Sequence, residues 1–326
     1  MKTAESVSCP VCSLRETDFH SSGYDYLAAS GREFSLVRCL GCGLVYLPSG
    51  PEPEAAGALY QAAYYRKMRG LSKFLETLFL RERRRAVERF KKAPGTLLDL
   101  GCGTGEFAAA MRDAGWDAAG VEPSPAAKEN AAGADKIYRR DLPDLKFPAG
   151  SFDAVTLWQV LEHLPDPARY LAEIRRLLKA DGLLLVSVPN INSLQAVFSG
   201  DKWFHLDLPR HRWQFTPETV SRLLVRAGFR IREIRHFSLE YNPFGWWQSL
   251  FNLLGCEINF AYKRLKRGSV RKDSPAAKRF YTVLCTALFA LPLLPAAFIL
   301  SFLESALRRG GVITVSAEMD GDGNER

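Results

Sequence analysis

The sequence predicts an α/β protein built on a doubly wound, mostly parallel sheet, and three observations carry that prediction. The apolar run Thr96-Leu97-Leu98-Asp99-Leu100 passes into Gly101-Cys102-Gly103-Thr104-Gly105 and then into a helical pattern from Glu106. That order reads as a strand, a tight loop and a helix N-terminus. Strand and helix patterns then alternate, with glycine stops, as far as Asn190, as a series of βαβ units requires. Finally, the alternating strand Phe229 to Phe237 finds no following strand until Val312 to Ala317, so the residues between them must leave the sheet and return to it.

A chain of 326 residues is long enough to bury a full α/β core and carry appendages. The net charge is +8, but it is collected in two places. Lys263 to Arg279 holds eight basic residues and one acid, and Arg81 to Lys92 holds seven against two. The remainder is acidic overall, so the basicity reads as local patches rather than a field over the whole protein. The opening Met1-Lys2-Thr3-Ala4-Glu5-Ser6 leads into no apolar signal segment, and the expected compartment is the cytoplasm.

In chain order, Cys9-x-x-Cys12 and Cys39-x-x-Cys42 come first. Two C-x-x-C knuckles can place four thiolates around one tetrahedral zinc ion. A closed four-cysteine site leaves no open coordination position, so the expected role is structural, in a zinc-ribbon-like segment over 1–50. Pro48-Ser49-Gly50-Pro51-Glu52-Pro53 reads as a linker or a rigid turn. A helical lid or linker is expected over 51–93, where Tyr60 and Tyr64 share a helix face with Tyr65 nearby.

The glycine loop then poses the question of its ligand. Glycines permit positive φ and close backbone approach, and the free N–H groups of a helix start attract a polar ligand end. A dinucleotide fingerprint would need glycine at position 106, where the chain has Glu106. The order Asp99-x-Gly101-x-Gly103-x-Gly105 instead resembles motif I of the class I S-adenosylmethionine (SAM)-dependent methyltransferases. Ala118-Ala119-Gly120-Val121-Glu122 is the next strand and ends in an acid. In a doubly wound sheet this puts a carboxylate where it can accept both ribose hydroxyls.

The resemblance implies a seven-stranded Rossmann-like methyltransferase sheet over 94–238, closed by an edge strand at 311–319; a disordered tail is expected at 320–326. It implies SAM as cofactor, with Asp99, Gly101, Cys102, Gly103, Gly105, Glu122 and Gln159 around it. Asp141 would meet the adenine amino group and Leu142 would flank the ring. The stretch Trp158-Gln159-Val160-Leu161-Glu162-His163-Leu164-Pro165-Asp166-Pro167 is similar to the small-molecule and quinone O-methyltransferase branch. A helix ahead of motif I often closes over SAM in these enzymes, which makes the tyrosines lid candidates; ordinary helix packing is the alternative.

His163 stands where open α/β sheets carry their active sites. It could act as general base, ligate a divalent ion with Glu162, or cap the helix that follows. The long connection Trp203 to Trp213 mixes aromatics with His205, Arg210, His211 and Arg212. Long loops at this end of a sheet usually bind substrate, so His205 and His211 are alternative bases, with structural hydrogen bonding as the competing role.

Residues 239–310 form an insertion before the last strand. Tyr241 to Leu254 is rich in aromatics, the basic patch follows, and Tyr281 to Leu303 carries no charge. Aromatic belts and basic patches suit a membrane surface. With Pro292 and Pro295 at the centre of the apolar run, the expectation is a proline-centred hairpin dipping into one leaflet; a spanning helix and a hydrophobic dimer surface are the alternatives.

The leading expectation is thus methyl transfer to a small-molecule, lipid or lipid-linked glycan acceptor at the cytoplasmic membrane face. A nucleic-acid methyltransferase is disfavoured, because Trp158-Gln159-Val160-Leu161 replaces the Asn/Asp-Pro-Pro-Tyr type motif. A non-catalytic SAM-binding scaffold is the third reading.

Overall fold

The computed structural model describes residues 7–26, 32–48, 71–124, 136–267 and 275–320. Tyr60, Tyr64 and Tyr65, the linker past Pro48, the centre of the second basic patch and residues 321–326 lie outside the described residues. The elements in order are β1 (Thr17–Tyr24), β2 (Glu33–Cys39), β3 (Val45–Tyr46), α1 (Leu71–Glu88), β4 (Thr96–Leu100), α2 (Glu106–Asp113), β5 (Asp117–Val121), β6 (Ile137–Tyr138) and β7 (Phe152–Trp158). There follow α3 (Pro167–Leu177), β8 (Leu178–Pro189), α4 (Leu194–Ser199), β9 (Trp213–Gln214), α5 (Pro217–Arg226), β10 (Phe229–Arg235), α6 (Asn242–Leu253), α7 (Phe260–Arg267), α8 (Ala276–Ala306) and β11 (Val312–Met319).

The chain divides into two compact units. One gathers Tyr60–Val188, Glu218–Ile234 and Thr314–Arg326 and holds the seven-stranded sheet, in the order β10-β11-β8-β7-β4-β5-β6. The pairs β4 with β5, β4 with β7, β5 with β6 and β7 with β8 are parallel, so the doubly wound, Rossmann-like expectation is met. β4 and β7 are buried along nearly their whole length because both faces of a parallel sheet are covered. Leu97, Ala154, Leu183 and Leu185 pack with Val87 of α1 and with Phe107 and Met111 of α2. Helix α3 begins with Pro167 at its first position, and the Asp166 carboxylate accepts the Arg169 N–H at 3.1 Å, the arrangement that satisfies an otherwise unpaired helix-start donor.

The register of the sheet positions the site. Asp99 stands opposite Gly120 on β5 and Thr156 on β7, and Leu100 stands opposite Val121. The residues that follow β4 and β5, Gly101 and Glu122, therefore leave the sheet side by side.

The second unit gathers Met1–Leu59, Pro189–Pro217 and Arg235–Ile313. It holds a four-stranded sheet in the order β1-β2-β3-β9, whose three pairs are antiparallel. The cysteine ribbon is therefore not a free-standing knuckle: the connection after β8 supplies its fourth strand, with Tyr46 opposite Trp213. Leu36, Val45 and Leu47 of the ribbon share a core with Trp203, Leu206 and Leu208. The buried Arg210 guanidinium bonds Asp207 at 2.6 and 2.9 Å and Asp25 at 3.3 Å. A buried cation needs such partners, and here they tie the loop to the end of β1.

In the same unit the apolar stretch departs from expectation. Tyr281 to Leu303 does not form a proline-centred hairpin; it lies within the continuous 31-residue helix α8, with Pro292 and Pro295 inside it. A helix-interior proline costs about 3 kcal/mol, but reversing the chain needs residues that accept turn conformations. The stretch contains no Gly, Asn or Asp, and its Ala, Leu and Phe residues favour or tolerate a helix. Helices α6 and α8 run antiparallel to each other. Asn242 at the start of α6 bonds Glu304 near the end of α8, while Phe251 and Cys256 pack on Cys285 near its start.

Candidate functional site: a glycine loop, a cysteine cluster and three histidines

In the sheet unit the loop after β4 is built on three left-handed glycines: Gly101 at φ 69°, Gly103 at 56° and Gly105 at 83°. Other residues adopt that region only at a cost. Gly101 is also confined by space, since a Cβ there would come within 2.4 Å of the Val160 side chain. Gly105 is the N-cap of α2 and makes no side-chain cap bond, so the first backbone donors of that helix point outward at the loop.

Glu122 is buried, and its two carboxylate oxygens accept from the Gly103 N–H at 3.1 Å and the Ser124 N–H at 3.0 Å. The carboxylate is thereby clamped against the glycine loop. Asp99 is 3% exposed and accepts a hydrogen bond from the Thr156 hydroxyl at 2.7 Å. Burial pushes its carboxyl up to about 7, against the Thr156 bond and the Arg83 charge, which favour the carboxylate. Arg83 also lies over the Trp158 ring, 5.4 Å from its centroid. Within a basic run nothing in the sequence singles out Arg83; only the fold brings it to Asp99.

Gln159 has φ 57°, and its N–H and side chain both bond Ser187, at 2.9 Å and 3.3 Å. Cys102 packs beneath the loop, where its sulfur fills the space that a Cβ at Gly120 would need. Burial pushes its thiol up, so this residue serves the loop by packing and through its backbone. Asp141 accepts from the Tyr170 hydroxyl and caps the Leu142 N–H at 3.0 Å, and Leu142 is fully buried. In the sequence Tyr170 is only one apolar position of α3; in the fold its hydroxyl fixes the orientation of Asp141.

His163 ends a 3-10 turn over Leu161–His163, just past β7 in the same unit, and is half-buried. His205 and His211 belong to the other unit. His205 is enclosed by Trp203, Phe204 and Tyr241, its Nε2 lies 3.4 Å from the Tyr241 carbonyl, and burial pushes it down to about 4. His211 Nδ1 lies 2.7 Å from the His205 carbonyl, so that nitrogen carries the proton and donates.

Cys9, Cys12, Cys39 and Cys42 converge, with all four sulfurs within 4.8 Å of one another. The Cys9–Cys42 and Cys12–Cys39 separations are both 3.4 Å, and all four are free thiols. Each knuckle is closed by a backbone turn, Ser13 N–H to Cys9 and Gly43 N–H to Cys39, and Gly43 takes φ 77°. Zinc–sulfur bonds of about 2.3 Å need sulfurs gathered at this scale, and the donor set fits zinc.

A sequence profile of the methyltransferase domain matches residues 69–234. Among curated proteins, the ubiquinone biosynthesis O-methyltransferase of Cereibacter sphaeroides is 33% identical over 184 residues, covering 52% of this chain and 73% of that protein. The protein of the same name in Marinobacter nauticus is 31% identical over 172 residues, covering 48% and 71%. Among solved structures, a SAM-dependent methyltransferase from Archaeoglobus fulgidus aligns over 76% of this chain and all of that one, at 19% identity and a TM-score of 0.46. With the domain match spanning half the chain and its glycine loop and paired acids in place, this protein belongs to the class I SAM-dependent methyltransferase family.

Proposed function

We propose that this enzyme transfers the methyl group of SAM to a hydroxyl of a quinone-like or related small acceptor at the cytoplasmic face of a membrane. The observation that carries the cofactor half is the Glu122 carboxylate clamped to the Gly103 N–H beside three left-handed glycines. The O-methylation half is supported by the identity shared with ubiquinone biosynthesis O-methyltransferases. A lipid or lipid-linked glycan acceptor fits the same membrane-face reading, which draws on the exposed apolar helix α8.

When bound, SAM supplies an electrophilic methyl carbon on a sulfonium. Gly101, Gly103 and Gly105 allow close backbone approach, Glu122 receives the ribose hydroxyls, and Asp141 with Leu142 holds the adenine. Asp99 lies beneath the loop, where the positive charge of bound SAM would favour the ionised form of its carboxyl. Positioning of the acceptor supplies most of the acceleration in such a transfer. We assign the acceptor's proton to His163, because it shares a unit with the glycine loop and follows β7, whereas His205 and His211 belong to the other unit. The four cysteines hold a structural zinc that fixes the ribbon.

Titration calorimetry with SAM tests the cofactor half directly. Binding that weakens in Glu122→Ala supports it, and no binding to the folded protein overturns it.

A further inference from the structure

Helix α8 is docked on its own unit along its whole length. Near its start the Glu257 N–H donates to the Thr282 hydroxyl at 3.0 Å, and the Tyr281 hydroxyl donates to the Leu254 carbonyl at 2.9 Å. Halfway along, the Trp247 indole N–H donates to the Ala290 carbonyl at 2.9 Å. At the far end Glu304 accepts from Gln195 at 2.9 Å and from Asn242 and the Gly311 N–H at 3.0 Å. The buried positions Thr282, Cys285, Ala297, Ser301 and Glu304 trace one stripe of small or polar side chains.

The opposite face is the reverse in character. Phe280, Leu284, Leu288, Leu291, Ile299 and Phe302 are exposed, Leu291 by 78%. At about 1.5 Å per residue this apolar face runs most of the length of a 31-residue helix. By length and composition the helix could cross a bilayer. To do so, however, it would take with it the partners bonded at its start, middle and end, including the polar groups of Gln195, Asn242 and Glu257. A lipid core does not accept such groups at depth.

Charge distinguishes a lipid surface from a second copy of the chain. Lys278 and Arg279 stand in the first turn of α8 and Arg308 and Arg309 just past its last, and the helix's single acid, Glu304, is buried. Two copies packed through the apolar face, parallel or antiparallel, would set basic ends against basic ends. Anionic headgroups would meet basic residues at both ends. We infer that α8 lies parallel to the membrane plane with its exposed face sunk in one leaflet of an anionic bilayer. This deepens the membrane-face part of the proposed function and is independent of the chemistry.

The test uses the full chain and vesicles of phosphatidylethanolamine with phosphatidylglycerol. A fluorescent non-canonical amino acid is placed singly at Leu284, Leu291 or Ile299, and its depth is read by quenching with lipids brominated at different acyl positions. The inference predicts the same shallow depth at all three sites. A profile deepest at Leu291 and shallow at the flanks would show a spanning helix, and absence of quenching with a dimer in sedimentation would show a protein partner; either overturns it. The paired substitution Leu288→Glu with Leu291→Glu should lower vesicle binding at least tenfold while leaving SAM calorimetry unchanged. Vesicle binding that persists in that variant contradicts the inference, whereas missing SAM binding would count only against the methyltransferase chemistry.

Discussion

At the scale of single residues, Glu122 and Gly101 carry the sharpest consequences. Removing a charged hydrogen-bond partner costs about 1.5–3 kcal/mol, so Glu122→Ala should weaken SAM binding by roughly ten- to a hundredfold in calorimetry. Gly101→Ala meets both positive φ and the Val160 side chain; it should abolish SAM binding and lower the melting temperature. His163→Gln should reduce turnover by about 10²–10⁴ with SAM affinity unchanged, and an unaltered rate would remove His163 from the chemistry. Asp99 gives a pH signature. Its folded pKa, about 7, lies above its ordinary 3.8 because of burial, so the protonated form favours the fold. That contribution is complete below about pH 4 and is lost as pH rises through about 7, at a slope of ~1.4 kcal/mol per pH unit. Thermal unfolding of the SAM-free protein across that window should therefore show a smaller fall in stability for Asp99→Asn than for the parent chain.

At the scale of elements, the ribbon and the insertion are where sequence and fold part company. The strand, glycine loop and helix around Asp99 are legible because most residues there obey a local rule, apolar where buried and glycine where φ is positive, with the buried Asp99 as the informative exception. The knuckle cysteines are legible for the same reason, since two residues between ligands is a local geometric condition. The fourth strand of the ribbon is not, because the pairing of Tyr46 with Trp213 joins segments far apart in sequence. Nor is the aromatic loop's role in the ribbon core, where Trp203, Leu206 and Leu208 meet Leu36. The hairpin expectation for α8 fails because two prolines suggest a turn, yet no residue suited to reversing the chain accompanies them. Shared packing makes a further prediction. Cys39→Ser should lose the zinc measured by atomic absorption, and hydrogen exchange should rise in β1–β3 and also in β9, 167 or more residues downstream of the ribbon strands. Exchange confined to β1–β3 would contradict the shared sheet.

At the scale of the whole molecule, the net charge of +8 is less informative than its placement. Basic residues stand at both ends of α8 and lie in the preceding segment, so attachment should have an electrostatic and an apolar component. Raising ionic strength should weaken attachment to anionic vesicles, because the Debye length falls from about 10 Å at 0.1 M to about 3 Å at 1 M. A quinone-like acceptor resides in lipid, and an enzyme seated on the leaflet would meet it there. The central claim is methyl transfer from SAM to such an acceptor. The measurement that tests it most directly is incubation of the full chain with trideuteromethyl-labelled SAM and a membrane lipid extract, followed by mass spectrometry of the lipids. The prediction is one labelled, hydroxyl-methylated species that disappears with Glu122→Ala. Binding of SAM with no labelled species in the extract would contradict it and leave a SAM-binding scaffold in its place.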